Sequence, residues 1–321
     1  MNSSPFISIC IPAYEKAPAL QRLLDSISIQ RFTNYEVVIT DDSQTDEVEK
    51  TVAAFSNRLP VQYYRNDPAS GMGDNWNNCI RKATAPWIKM MHDDDWFAGE
   101  TALEKFAAKA QEGSTDFIFS ASFQVHAHSK TTTVESITDK DKKLVDGLPL
   151  SLLFLNTIGH PSVTMFKKEE AIYFDAQFRW VIDIDFYIRY LQQHQQQVTY
   201  IHEPLINITK DDQQVSVSCY KNPLVEIPEY LTLLSKFPAA LHLTNRFAFY
   251  SVWELVRKFS ITHSDQFKAF GYDGILPEKI NGIIQYQQKI PRLILKQPSW
   301  NGWLMRKCFD QFNMQVTLEQ P

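Results

Sequence analysis

The first third of the chain alternates two hydrophobic patterns. FISICI (6–11), EVVIT (36–40), VQYYR (61–65), WIKMM (87–91) and DFIFSAS (116–122) are short, nearly continuous apolar runs rich in β-branched and aromatic residues, which predicts strands. Between them lie segments with helical spacing. Pro18 opens one with Leu20, Leu23, Leu24 and Ile27, and a second places Val48, Val52 and Phe55 on one face. Residues 75–82 and roughly 100–112 are two more. Strands apolar on both faces, alternating with amphipathic helices, predict an α/β fold whose sheet is mostly parallel and flanked by helices.

The pattern then loosens. Residues 123–150 are polar, with Thr and Lys runs and no apolar period, and read as an exposed loop or edge excursion. Strand character resumes over 162–166 and 198–206, with a helix expected over 183–194. Beyond Ser218 the texture changes to helical segments, 237–259 and 275–312, dense in Trp, Tyr and Phe with Lys or Arg interleaved. Residues 1–218 are thus expected to form an α/β body and residues 219–321 an appended C-terminal helical region.

Charge follows the same division. Residues 1–216 carry 20 Lys/Arg against 29 Asp/Glu, and residues 217–321 carry 12 against 8, so the body is net acidic and the tail net basic. With a net charge of -5 the chain as a whole is a poor nucleic-acid binder. Interleaved aromatic and basic residues in the tail (Trp253, Trp300 and Trp303 with Arg257, Lys296 and Lys307) suit an interfacial helix on an anionic membrane, and equally helices packed on the body or on a second copy in a homodimer. The four cysteines are widely spaced and form no CxxC pair, as expected of buried thiols in a reducing compartment. No basic segment precedes an apolar run at the N-terminus, and no window approaches about 18 uninterrupted apolar residues. A cytoplasmic location, with peripheral contact at the inner face of the membrane, is expected.

Three polar clusters fall at strand ends: Pro12-Ala13-Tyr14-Glu15, Asp41-Asp42-Ser43, and Asp93-Asp94-Asp95 within MMHDDDWF. Ligands of parallel sheets bind at the carboxyl ends of strands, so three clusters on one edge point to a site. Adjacent carboxylates bind a hard divalent cation or share a proton, and the same triplet also serves as an ordinary solvated turn or helix cap. A carboxylate pair after the second strand and a triplet after the fourth suit a nucleoside diphosphate whose phosphates share a metal.

ISICIPAYEK, YEVVITDDSQTDE and MMHDDDWF together resemble the family 2 glycosyltransferases of the GT-A fold, from about Ile7 to Phe106 and again over 158–216. The resemblance implies an inverting transfer of sugar from a nucleotide-diphospho-sugar, expected to be a UDP-sugar, to a hydroxyl of a glycan or lipid-linked acceptor in cell-surface polysaccharide synthesis. It places the nucleotide-sugar half at about 1–122 and the acceptor-side half at about 123–218. Pro12, Ala13, Tyr14 and Glu15 would lie against the nucleoside, Asp42 would accept from the base with Asp41 beside it, and Asp74 and Asn75 of GMGDNWNNCIRKA would close over the nucleotide. Asp93 falls on the motif's variable position. Asp94 and Asp95 fall on the metal ligands, for Mn2+ or Mg2+. Asp183 of WVIDIDFYIRYL falls on the catalytic base, six residues before Arg189. Lys210 and Asp211 are phosphate or metal candidates. His92, Ile182 and Asp211 depart from the family's pattern. They motivate one alternative, a nucleotide-sugar-binding protein without catalysis. Another, a sugar-phosphate nucleotidyltransferase, is disfavoured because PAYEKAPAL lacks the glycines of a phosphate loop.

Overall fold

The computed structural model of the chain describes residues 4–194, 198–212 and 214–314. They form two compact units, one up to Pro149 together with Thr157–Gln214, the other from Leu150–Asn156 together with residues from Val215 onward.

The first unit holds a nine-stranded sheet: β1 (Ile7–Ala13), β2 (Tyr35–Asp41), β3 (Val61–Arg65), β4 (Trp87–Met90), β5 (Trp96–Phe97), β6 (Phe117–His126), β7 (Thr132–Glu135), β8 (Thr164–Lys167) and β9 (Thr199–Lys210). Their order is β3-β2-β1-β4-β8-β6-β9-β5, with β7 paired to β6. The first four strands are parallel. Antiparallel pairs follow on the other side, β4–β8, β6–β8, β6–β7 and β5–β9, while β6–β9 is again parallel. Central β1 is buried at every position, as its continuous apolar run requires.

Helices α1 (Ala17–Ser28), α2 (Glu47–Ala53), α3 (Met72–Lys82), α4 (Ala102–Gln111), α5 (Asp139–Gly147) and α6 (Ile182–His194) accompany the sheet. In α1, with proline in its first turn, Leu20, Leu23, Leu24 and Ile27 are all buried. Residues 123–150 are the edge excursion rather than a structureless loop. β6 continues to His126, the edge strand β7 is exposed throughout, and α5 is nucleated by a capping box in which Thr138 and Asp141 satisfy each other's backbone. An edge strand exposed on both faces needs no apolar alternation, so its sequence carries no signal.

The second unit is helical: α7 (Val215–Cys219), α8 (Pro223–Ser235), α9 (Pro238–Leu241), α10 (Arg246–Lys258), α11 (Asp265–Ala269), α12 (Ile280–Gln288), α13 (Arg292–Leu295) and α14 (Pro298–Met314). Its core gathers Trp253, Phe249, Phe267 and Ile283. Pro291 and Pro298 divide what the spacing reads as one helix over 275–312 into three. Among the described residues no helix is long and apolar enough to cross a membrane. The four cysteines are buried and free.

Candidate active site

Because β1, β2 and β4 run parallel, their carboxyl ends share one edge, and direct bonds join the polar clusters there. Asp42 N donates to Ala13 O (3.2 Å), and Glu15 N to Ser43 Oγ (2.8 Å). The Glu15 carboxylate accepts from Gln44 N (2.6 Å) and Thr45 Oγ1 (3.1 Å). Glu15 holds a φ of 57°, an uncommon conformation for a residue with a Cβ, which these bonds stabilise. Toward the acidic turn, Tyr14 N donates to Asp93 Oδ2 (2.8 Å) and Lys16 Nζ to Asp94 Oδ2 (2.6 Å). Burial and the adjacent Asp94 carboxylate push Asp93 up to about 7. Lys16 loses hydration on burial, but Asp94 and Asp93 outweigh that and raise it.

Asp41 and Asp42 are buried and engaged by their own chain. Asp41 accepts from Ser43 N (2.8 Å) and Tyr63 Oη (2.7 Å). Asp42 accepts from Asn66 Nδ2 (2.7 Å), Ser70 N (3.0 Å) and Ser70 Oγ (3.1 Å) on Oδ1, and from Gly71 N (2.8 Å) on Oδ2. A carboxylate offers about four acceptor sites, so Asp42 holds the loop that opens α3 and has little capacity left over. Asn75 is likewise buried, donating to Ala13 O (3.1 Å). Pro12 and Ala13 are buried in β1, whereas Tyr14 and Asp74 are exposed.

One helix touches both this edge and the segment bearing Asp183. On α3, Trp76 packs on the His92 ring (4.5 Å between centroids), and a Cβ at Gly73 would meet Ala176 Cα at 2.6 Å and Ile182 Cδ1 at 3.1 Å. Asn77 and Phe174 add a reciprocal pair of hydrogen bonds (2.8 and 2.9 Å). Asp183 stands in the first turn of α6, half-buried, where Oδ1 accepts from Ile184 N (2.9 Å). Arg189 pairs with buried Asp185 (2.6 Å) and so supports the helix itself.

Beneath the turn sit groups that the strand-end pattern missed. His160 Nδ1 lies 3.2 Å from Asp95 Oδ2, out of line for a hydrogen bond, so the contact is electrostatic. Burial opposes both charges, but each partner favours the other, holding Asp95 low and His160 high. His92 is driven well down by burial and by His160. His92 Nε2, Asp95 Oδ2 and His160 Nδ1 are buried without hydrogen-bond partners and lie within 4.8 Å of one another. An unsatisfied buried polar atom costs about 1–3 kcal/mol, so three together call for a ligand. Imidazole nitrogens and a carboxylate fit the divalent cation that the sequence resemblance implies.

Thr209 joins the last strand to the same turn. Its N–H donates to Asp95 Oδ1 (3.1 Å) and its hydroxyl to Asp94 O, which also accepts from Arg22 Nη2 (2.9 Å). Lys16, Arg22, Asp94, Thr209 and Asp211 line a cleft of about 360 Å3. A cavity of about 810 Å3, bordered by Tyr220, Lys221, Glu226 and Arg257, belongs to the second unit and contains none of the strand-end residues. Volume alone does not assign chemistry, and the convergent carboxylates favour the smaller cleft. His128, in the turn between β6 and β7, is exposed and pairs with Asp212 (3.0 Å) on the surface.

The fold is that of the GT-A glycosyltransferases. S. aureus TarS 1–349 in complex with UDP-GlcNAc superposes with a TM-score of 0.59 at 16% identity, over 97% of this chain and 92% of that one. The mannosyltransferase PcManGT from Pyrobaculum calidifontis, in complex with GDP-Man and Mn2+, gives 0.56 at 16%, over 96% and 85%. Residues 8–174 match the glycosyl transferase family 2 domain, and the chain belongs to that family. An uncharacterized glycosyltransferase of Haemophilus influenzae is 26% identical over 66% of this chain and 71% of its own length. Across the first bacterial relatives the chain spans between 62% and 71% of their length.

Proposed function

We propose that the chain is an inverting, metal-assisted glycosyltransferase that uses a nucleotide-diphospho-sugar, a UDP-sugar by preference. The observation that carries this is the linkage of three strand ends on one edge, with Lys16, just after β1, reaching Asp94 (2.6 Å). Pro12 to Glu15, Asp41, Asp42, Asp74, Asn75 and Asp93 frame the nucleoside side of that edge. Lys16 and Arg22 offer two cations to the diphosphate from one cleft. Asp94 and Asp95 are the candidate ligands of a divalent cation, Mn2+ or Mg2+, which when bound offsets charge on the departing diphosphate. Asp183 takes the proton of the acceptor hydroxyl as its oxygen bonds to the anomeric carbon. The bond from that carbon to the diphosphate oxygen breaks, and its electron pair leaves with the nucleotide. The acceptor is a glycan or lipid-linked hydroxyl of cell-surface polysaccharide synthesis.

Peripheral attachment at the inner face of the membrane is part of the same reading. Leu293, Trp300 and Trp303 are 78%, 58% and 47% exposed on α13 and α14. Between Glu278 and Asp310 there is no acidic residue but six basic ones. This combination favours an anionic lipid surface over a second copy.

The test is a donor screen for nucleotide release with and without Mn2+. Asp183→Asn should lower turnover by roughly 10²–10⁴-fold. Asp94→Asn should raise the metal requirement and depress turnover, with circular dichroism unchanged in both. Full activity in both variants would sink the reading.

A further inference from the structure

We propose that His92, Asp95 and His160 form a two-nitrogen, one-oxygen site for a first-row transition cation, which this set binds in preference to Mg2+. This deepens the reading above, keeping Asp95 and putting the two imidazoles in the place of Asp94, and rests on it for the ion's part in transfer.

Four features converge. The donor atoms His92 Nε2, Asp95 Oδ2 and His160 Nδ1 cluster within 4.8 Å, and each is buried without a hydrogen-bond partner. The Asp95 side chain has no exposed surface; Oδ1 is occupied by Thr209 N, and Oδ2 faces His160 Nδ1 at 3.2 Å as an ion pair without a geometric hydrogen bond. Donors each about 2.1 Å from one ion stand roughly 3.0–3.5 Å apart when adjacent, and Oδ2 and Nδ1 are separated by 3.2 Å. A simple ion pair would use one histidine, but here a second imidazole lies edge-on at 4.6 Å between centroids with its own nitrogen unpaired. His160 is 30% exposed, which leaves the ion a path in.

The ligands are held in place from outside the cluster. His92 N donates to Ser162 Oγ (2.9 Å), Trp76 covers the His92 ring, and Asp95 N donates to His92 O (3.1 Å). The Asp94 carboxylate is meanwhile occupied by Lys16, so an ion seated on Asp94 must displace an ammonium, whereas one seated on Asp95 need not. Imidazole donors suit iron, nickel, copper and zinc better than magnesium, which prefers oxygen. Manganese also takes oxygen readily, so nitrogen coupling to it is the more demanding sign of this donor set.

Mn2+ itself is the probe. Electron spin-echo spectroscopy on the full chain with substoichiometric Mn2+ should show nitrogen modulation from histidine, and Mg2+ in about tenfold excess should leave it in place. His92→Gln and His160→Gln should each weaken Mn2+ binding at least about tenfold, and the double variant should lose the modulation. Bound Mn2+ with no nitrogen coupling, or no bound Mn2+ at all, overturns the proposal from the wild-type chain alone, whatever the variants do. Nucleotide release measured in parallel separates the two readings. Turnover without nitrogen-coupled Mn2+ removes this site and leaves the transferase. Nitrogen-coupled Mn2+ without turnover on any donor or acceptor does the reverse.

Discussion

Lys89 is fully buried between the acidic turn and the loop below it. Its amine donates to Met90 O (3.0 Å) and Ser162 O, and lies 5.0 and 5.7 Å from the Phe106 and Phe97 ring centres. Burial drives its pKa well below the ordinary lysine value. Between the folded value and the unfolded one near ~10.4, the unfolded chain holds a proton the folded chain does not, so this lysine makes stability rise with pH across that window. Lys89→Met should flatten the rise, which urea unfolding at a series of pH values would reveal; an unchanged slope would show that the amine is charged when folded. The sequence displays Lys89 only as a polar interruption of a strand. The same limit applies to Lys16, Thr209 and His160. Each reaches the acidic turn from a distant part of the chain, and single-residue patterns carry no record of such pairs. The carboxylates were visible because three neighbouring acids are costly enough to look purposeful.

At the scale of elements, α3 is placed by an absence. Gly73 lets the helix approach Ala176 so closely that a Cβ would stand 2.6 Å from its Cα, and backbone cannot give way as a side chain would. Gly73→Ala should destabilise the first unit by about 1–3 kcal/mol and lower turnover further than the loss of stability explains, because α3 also carries Trp76 against His92. Thermal melts and steady-state kinetics on one preparation test both halves; a melt like wild type would show that Ala176 can move. The alternation of strands and helices up to residue 122 was readable because those strands are buried on both faces and their helices have one apolar face. β7 and α5 were not, since an exposed edge strand and a polar surface helix with only Val145 buried leave no period to read. The two-residue β5 is too short to carry one.

For the molecule as a whole, the division of charge between body and tail has a measurable consequence. The full chain should co-float with phosphatidylglycerol-containing vesicles, release in high salt, and ignore purely zwitterionic ones. Trp300→Ser with Trp303→Ser should abolish flotation and leave UDP affinity unchanged. A concentration-dependent dimer that the same double variant disperses would instead assign this surface to a second copy. Thr209 and the β5–β9 pairing carry a different implication, one about time. Asp95 is anchored by a strand that arrives 114 residues later, so this last tie on the acidic turn forms only after Thr209 has been synthesised and β9 has paired with β5. On the proposed reading the donor set His92, Asp95 and His160 would be held in place only once the sheet is complete, and metal capture would then be a late event in biogenesis.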